Sequence, residues 1–159
     1  MSLTTAQLAI FKTDIQAQGT LAAAVAAHNW TPVMDFYNAA SATNVWLPAV
    51  RVEVLADAID WTTTAVAGGN GGFQQLPAAA RDAYFALTQG GVVDATQANI
   101  RNGFGSIFPA NVASALAAVS QRVGTRLEVL LSTPAGSAVV TQVLGVGVTA
   151  QDVATALGV

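Results

Sequence analysis

The stretch NVASALAAVSQRVGTRLEVL, residues 111–130, has the most regular apolar spacing in the chain. Its apolar positions follow one another at intervals of three or four residues, which places them on one face of a helix. These positions are Val112, Leu116, Val119, Val123, Leu127 and Leu130. We therefore expect a central helix of about 20 residues, capped by Asn111, ended by Pro134 and Gly136, and buried along this stripe.

The segments on both sides of this helix also show mostly helical patterns. Further helices are predicted at about 5–18, 20–28, 31–40, 77–89 and 95–108, with a last short helix after Thr149. From Leu55 to Ile59 the pattern also turns helical. Asp94 is the expected cap of the helix that follows it, and Thr149 with Asp152 forms a capping-box-like pair. Residues 42–48 are predicted to be a loop, whereas 50–54 and 138–144 have extended patterns and could pair as a small sheet.

These patterns predict a fold that is mainly α. The expected architecture is a single-domain helical bundle of about six to seven helices with a small two-stranded β element. One helical domain covers residues 1–159, and a flexible Gly-rich loop at 68–72 is the only plausible internal break.

Charged residues are unusually scarce, at 9% of the chain, while 53% of the chain is hydrophobic. An ordinary domain carries roughly a quarter of charged residues. Because the cores of protein interfaces are depleted in charge, this composition favours a chain that packs against other protein. The net charge of −3 argues against sequence-independent binding to nucleic acid, which requires a basic surface.

Motifs for catalysis, cofactors and metals are weak or incomplete. The chain has no cysteine and a single histidine, His28, so thiolate zinc sites and multi-histidine sites are excluded. Residues 145–150 match G-x-G-x-x-A, but too few residues follow for a dinucleotide-binding unit, and we interpret them as a tight turn. The uncharged stretch 129–151 is interrupted by Pro134 and several glycines, so no membrane span is expected. We expect no catalytic residue, no cofactor and no metal.

A few aromatic, basic and loop residues are candidates for contacts with other subunits. Tryptophan is enriched at binding hot spots, although each tryptophan here could equally anchor the core. The two arginines on the predicted central helix are four residues apart, and each could pair with a carboxylate of its own fold or of a neighbour. The interface candidates are Trp46, Arg51, Trp61, Asn70 in the 68–72 loop, Arg122 and Arg126.

Several blocks together resemble a family of small proteins of tailed bacteriophages and prophages. The blocks are Phe36-Tyr37-Asn38, Trp46–Val54, Ala58-Ile59-Asp60-Trp61-Thr62, Asp94–Arg101, Arg122–Glu128 and Gln151-Asp152-Val153. The Ala-Ile-Asp-Trp-Thr and Arg-x-x-x-Arg-x-Glu blocks are the most distinctive. The resemblance covers nearly the whole chain in scattered blocks and implies a phage gene product, but it brings no catalytic residues.

From this resemblance and the low charge we expect a non-enzymatic structural protein of the virion, assembled in the host cytoplasm. The neck or tail, where the head joins the tail, is the first expected position, and decoration of the capsid surface is the second. The expected partners are other copies of the chain, in a ring or shell, and other virion proteins. The alternative is a soluble cytoplasmic protein made during infection, either an adaptor or a small enzyme.

Overall fold

A computed structural model describes residues 3–59, 73, 76–132 and 147–159 of the chain. Within these residues the fold is mainly α, with two small two-stranded sheets. The helices are α1 (Thr5–Ala17), α2 (Ala22–Ala26), α3 (Thr31–Asn38), α4 (Val52–Asp57), α5 (Ala78–Thr88), α6 (Ala98–Ile107), α7 (Ala110–Val119), α8 (Arg126–Leu130) and α9 (Ala150–Leu157), with a 3₁₀ turn at Gly19–Leu21. The strands are β1 (Ala40–Trp46), β2 (Val50–Arg51), β3 (Val92–Val93) and β4 (Gln121–Thr125).

The predicted fold class, mainly α with a small β element, is confirmed. The helices in the described part of the chain are shorter and more numerous than expected. Trp61, Asn70 and the predicted 68–72 loop lie outside the described residues, as does the extended piece at 138–144.

The chain forms two compact units, and each has its own hydrophobic core. The first unit comprises Met1–Val45 and Val123–Val159, and the second comprises Trp46–Arg122. The first core is built around α1, α3, α8 and α9 and includes Phe11, Ile15, Val33, Tyr37, Leu127 and Val153. The second is built around α4 to α7 and includes Leu55, Phe73, Tyr84, Phe104, Val112 and Leu116. The predicted single domain stays a prediction.

The predicted central helix over 111–130 is wrong, because the chain leaves the helix after Val119 and enters strand β4. Gly124 in that strand packs so closely on Val45 that a Cβ at this position would lie 2.6 Å from the Val45 Cγ1. A new helix then begins at Arg126, since Thr125 and Glu128 form a reciprocal capping box. Val123, which was predicted to be buried on the helical stripe, lies in β4 and is 54% exposed.

The predicted loop at 42–48 is largely strand β1, which pairs with β4. The Leu47 backbone N–H donates to the Ser120 carbonyl at one end, and the Arg126 N–H donates to the Ala39 carbonyl at the other. This pattern makes the two strands antiparallel. The pairing joins residues about 80 positions apart, so neither strand shows its partner in its local pattern.

The predicted strand at 50–54 is also shorter than expected. Only Val50 and Arg51 are extended, and they pair antiparallel with Val93 and Val92. Helix α4 begins at Val52, where the alternation in the sequence suggested a continuing strand. The observed partner of this segment is therefore β3.

Helix caps agree with the sequence at some ends and not at others. The capping box of Thr149 and Asp152 at the start of α9 is confirmed. Asp94 does not cap α6 directly, since the N-cap is Gln97; its carboxylate instead accepts a hydrogen bond from the Thr96 N–H at 2.9 Å. Likewise, α7 begins after Pro109, so Asn111 lies inside its first turn.

Candidate interaction surfaces

Trp46 is half-buried and packs on the core of the second unit. The guanidinium carbon of Arg101 lies 5.4 Å from the centre of its ring. Arg101 is itself held by the carbonyl oxygens of Ala95 and Thr96, which accept hydrogen bonds from its Nη1. Sequence reasoning missed this arginine, which fixes Trp46 in place by a cation–π contact. Trp46 therefore has an anchoring role inside its own unit.

Arg51 is exposed on strand β2 and pairs with Glu53. Its Nε lies 3.3 Å from the Glu53 Oε2, and both side chains are largely in solvent. A hydrogen bond to its own backbone N–H, together with the Arg51 charge, lowers the pKa of Glu53. An exposed pair of this kind contributes little to stability, so Arg51 is available for contacts outside the fold.

The two arginines predicted to share a helix face do not do so. Arg122 lies in strand β4 and is half-buried, whereas Arg126 is the first residue of helix α8. The guanidinium carbon of Arg126 lies 4.2 Å from the centre of the Phe36 ring. The Arg126 side chain is exposed, and no carboxylate in the described part of the chain forms an ion pair with it. The stacked ring holds this cation in a fixed orientation towards solvent.

A groove of about 420 Å³ runs along the outer side of α1. It is lined by Ala9, Ile10, Thr13, Asp14, Ala17 and Leu130. All but two of these side chains are apolar, and Ile10 is 44% exposed. One feature of the sequence points to this surface, since Ile10 falls outside the stripe of Leu8, Phe11 and Ile15. Leu130 was assigned to the buried stripe of the long helix, and its place in a groove depends on the break at β4.

Among the described residues that line this groove, Asp14 alone is charged. Its Oδ2 accepts a hydrogen bond from the Tyr37 hydroxyl at 2.6 Å, with the Gln18 amide at 3.4 Å. Burial, reinforced by the Asp14 carboxylate, raises the pKa of Tyr37 well above its ordinary value, so this phenol remains a donor at all physiological pH values. The Asp14 carboxylate is thereby held in a fixed position at the groove.

A second, smaller cavity of about 220 Å³ lies beside His28 and Trp30, whose rings are 5.3 Å apart. His28 has a φ of 52° and follows the C-terminus of α2. Its N–H donates to the Val25 carbonyl, and the Asn29 N–H donates to the Ala24 carbonyl, which is the Schellman arrangement of a helix end. His28 thus serves as a helix-terminating residue.

Two of the described carboxylates, Glu128 and Asp94, are tied into the fold by hydrogen bonds. Glu128 is 1% exposed and accepts from the Thr125 N–H at 2.9 Å. Burial alone would raise the pKa of Asp94, but hydrogen bonds from Thr96 and Gln97, with Arg101 nearby, together lower it. Among residues 3–59, 73, 76–132 and 147–159, no group of three or more His, Asp or Glu residues could hold a metal ion.

Across the described ranges, no helix has both the length and the apolar character needed to cross a membrane. Among the interface candidates that the structure describes, Arg51 and Arg126 face solvent, whereas Trp46 and Arg122 are half-buried. No protein-family model, curated protein or solved structure matches the chain.

Proposed function

We propose that the chain is a non-enzymatic structural protein of a tailed-phage virion that acts through repeated contacts with copies of itself and with other virion proteins. Its first expected place is the neck or tail. The proposal of a phage protein is supported by the sequence blocks that resemble small proteins of tailed bacteriophages and prophages. The distribution of charge in the structure supplies the argument for assembly.

The observation that carries the proposal is that the fold itself uses much of its small supply of charge. The chain has six basic and nine acidic residues in total. Arg101 binds backbone carbonyls, and Glu128 is buried in a capping box. Asp94 and Asp152 accept hydrogen bonds from their own turns. The surface that remains is even poorer in charge than the composition indicates.

A surface with so few charges has little electrostatic repulsion between copies, and depletion of charge marks the cores of protein interfaces. Large apolar side chains are also exposed on both units: Ile10 and Val123 on the first, and Val54, Phe85 and Val92 on the second. Each alone would be ordinary for a monomer. Together with the neutral surface they favour burial against neighbouring subunits.

The alternative of a small enzyme requires a pocket with several converging polar groups. The groove on α1 holds one carboxylate, which already accepts a hydrogen bond from Tyr37. The smaller cavity holds His28, whose backbone ends helix α2. Neither arrangement pairs a nucleophile with a base. These geometries favour the assembly role over catalysis.

The test combines light scattering of the purified protein with mass spectrometry of purified phage particles. We expect a mass of several chains in solution and the chain itself among the virion proteins. A strict monomer that is missing from the particles would contradict the proposal. Reconstruction of the particle then separates the neck or tail position from decoration of the capsid surface.

A further inference from the structure

The groove on α1 combines exposed apolar surface with one fixed negative charge. Ala9, Thr13 and Ala17 lie one turn apart along the helix, so the groove has a shallow floor that another chain can approach closely. Ile10 and Leu130 form its apolar walls. Such a surface gains free energy when another apolar surface covers it.

The negative charge in the groove has no cation from the described residues to balance it. Asp14 forms no ion pair there, and its described hydrogen bonds come from the neutral Tyr37 and Gln18 side chains through a single carboxylate oxygen. Lys12, the nearest basic residue in sequence, reaches instead towards the Leu157 carbonyl, at 3.5 Å. A partner that covers the groove would therefore need to bring a positive charge to Asp14.

The first unit also contains an exposed positive charge without a described carboxylate partner, at Arg126. Arg126 lies four residues before Leu130 in α8, so the two side chains are on the same face of that helix. Leu130 lines the groove, and Arg126 therefore lies one helical turn beyond it. Its guanidinium is exposed, stacked on Phe36, and lacks a carboxylate partner in the part of the chain that the structure describes.

We propose that the α1 groove is a self-association surface, in which Asp14 of one copy pairs with Arg126 of a second copy related by a two-fold axis. A two-fold contact brings the same surface of both copies together, so Asp14–Arg126 pairs form at both ends of the apolar groove. Arg126 of each copy thus balances the charge of Asp14 on the other copy. Because Arg126 is already stacked on Phe36, its side chain loses little conformational freedom on binding. The inference rests on the self-association in the proposed function and names its surface.

The test uses charge reversal in the full chain, with association followed by sedimentation over a range of concentrations. Asp14→Arg or Arg126→Asp alone places like charges at both ends of the contact, and we expect each to weaken self-association at least about tenfold. An equimolar mixture of the two variants restores opposite charges at both ends. We therefore expect the mixture to form a heterodimer with nearly the affinity of the unmodified protein. Asp82→Arg, at an exposed position of α5 in the second unit, is the matched control and should leave self-association unchanged.

Neutral variants keep the inference testable if a reversed charge impairs folding. Asp14→Asn retains an acceptor for Tyr37, and Arg126→Gln retains most of the stem over Phe36. Each should weaken association, and the double variant should be no weaker than either alone, because both remove the same pair. Three results would overturn the Asp14–Arg126 pairing. The first is that the losses of association from the two neutral variants add fully in the double variant. The others are that a folded single charge reversal associates like the unmodified protein, or that the mixture of the two reversals does not regain its affinity. A protein that is monomeric throughout would overturn the self-association of the proposed function as well.

Discussion

Gly124 shows how one residue can decide a local fold. Because Gly124 has no side chain, strand β4 can lie directly against the buried Val45. The space between them has no room for a Cβ on residue 124. Gly124→Ala should therefore destabilise the protein by about 1 to 3 kcal/mol, since Val45 and the strand must shift to relieve overpacking. Chemical denaturation followed by circular dichroism measures this change.

Gly105 provides the matched control, because a Cβ there would meet no atom within 4 Å. It lies inside helix α6, where glycine costs about 1 kcal/mol relative to alanine. The same Gly→Ala substitution should therefore stabilise the protein at position 105. The prediction fails if both substitutions change stability in the same direction.

The carboxylate of Asp94 makes a pH-dependent contribution to stability. Hydrogen bonds in the folded state lower its pKa below the ordinary value of 3.8, so the folded protein binds its proton less readily than the unfolded chain. The stabilisation is complete above the unfolded pKa and is lost as the pH falls through the folded pKa. Asp94→Asn should thus be less stable than the unmodified protein at neutral pH.

Urea denaturation of both proteins between pH 7 and the acid limit of folding checks this sign. The difference in unfolding free energy should shrink steadily as the pH drops below about 4. Asp82→Asn, at an exposed position of α5, serves as the control. If the unfolding free energies of the unmodified protein and Asp94→Asn differ by the same amount at every pH, the charge of the Asp94 carboxylate is not involved.

At the level of elements, Asn38 acts as a clamp between the end of α3 and the segment before α9. Its Oδ1 accepts from the Val148 N–H at 2.7 Å, and its Nδ2 donates to the Val148 carbonyl at 3.2 Å. A Cβ at Gly147 would collide with this amide. The side chain thereby replaces the backbone partner that an adjacent strand would provide.

Removing this clamp should loosen α9 selectively. We expect Asn38→Ala to speed hydrogen exchange of the α9 amides by at least about fivefold, while the amides of α6 and α7 exchange as before, because local opening costs less than global unfolding. Asn38→Asp is a second variant, since it keeps the acceptor for the Val148 N–H but sets a carboxylate oxygen against the Val148 carbonyl in place of the donor. Because the two oxygens repel each other, this variant should also speed exchange of the α9 amides. Equal acceleration throughout the chain would indicate general destabilisation instead.

The elements that the sequence predicted well are those whose signals are local. Helix α1 and the capping box of α9 follow from spacing and from pairs three residues apart. Strands β1 and β4 depend on each other, and no local pattern distinguishes Val123 in a strand from a residue on a helical stripe. The candidate surface shows the same division. Arg126 was named among the interface candidates from the sequence, whereas the Asp14 groove exists only because α1 and α8 come together.

For the whole molecule, the division into two units raises the question of how cooperatively the protein unfolds. The chain passes between the units twice, at Val45–Trp46 and at Arg122–Val123. Both passages lie within β1 and β4, which pair with each other along the backbone. Because the chain crosses between the units at two places rather than through one linker, we expect one two-state transition, as the predicted single domain requires.

Core truncations in each unit test this expectation by calorimetry. Leu116→Ala in the second unit and Leu127→Ala in the first both remove fully buried leucine side chains, and each should cost about 2 to 5 kcal/mol. Each variant should shift one transition as a whole, with calorimetric and van't Hoff enthalpies that remain equal. Two transitions, of which each truncation moves only one, would show that the units unfold independently. In that case residues 46–122 would form a domain of their own. The two chain crossings, through β1 and β4, would then connect the units without making their unfolding cooperative.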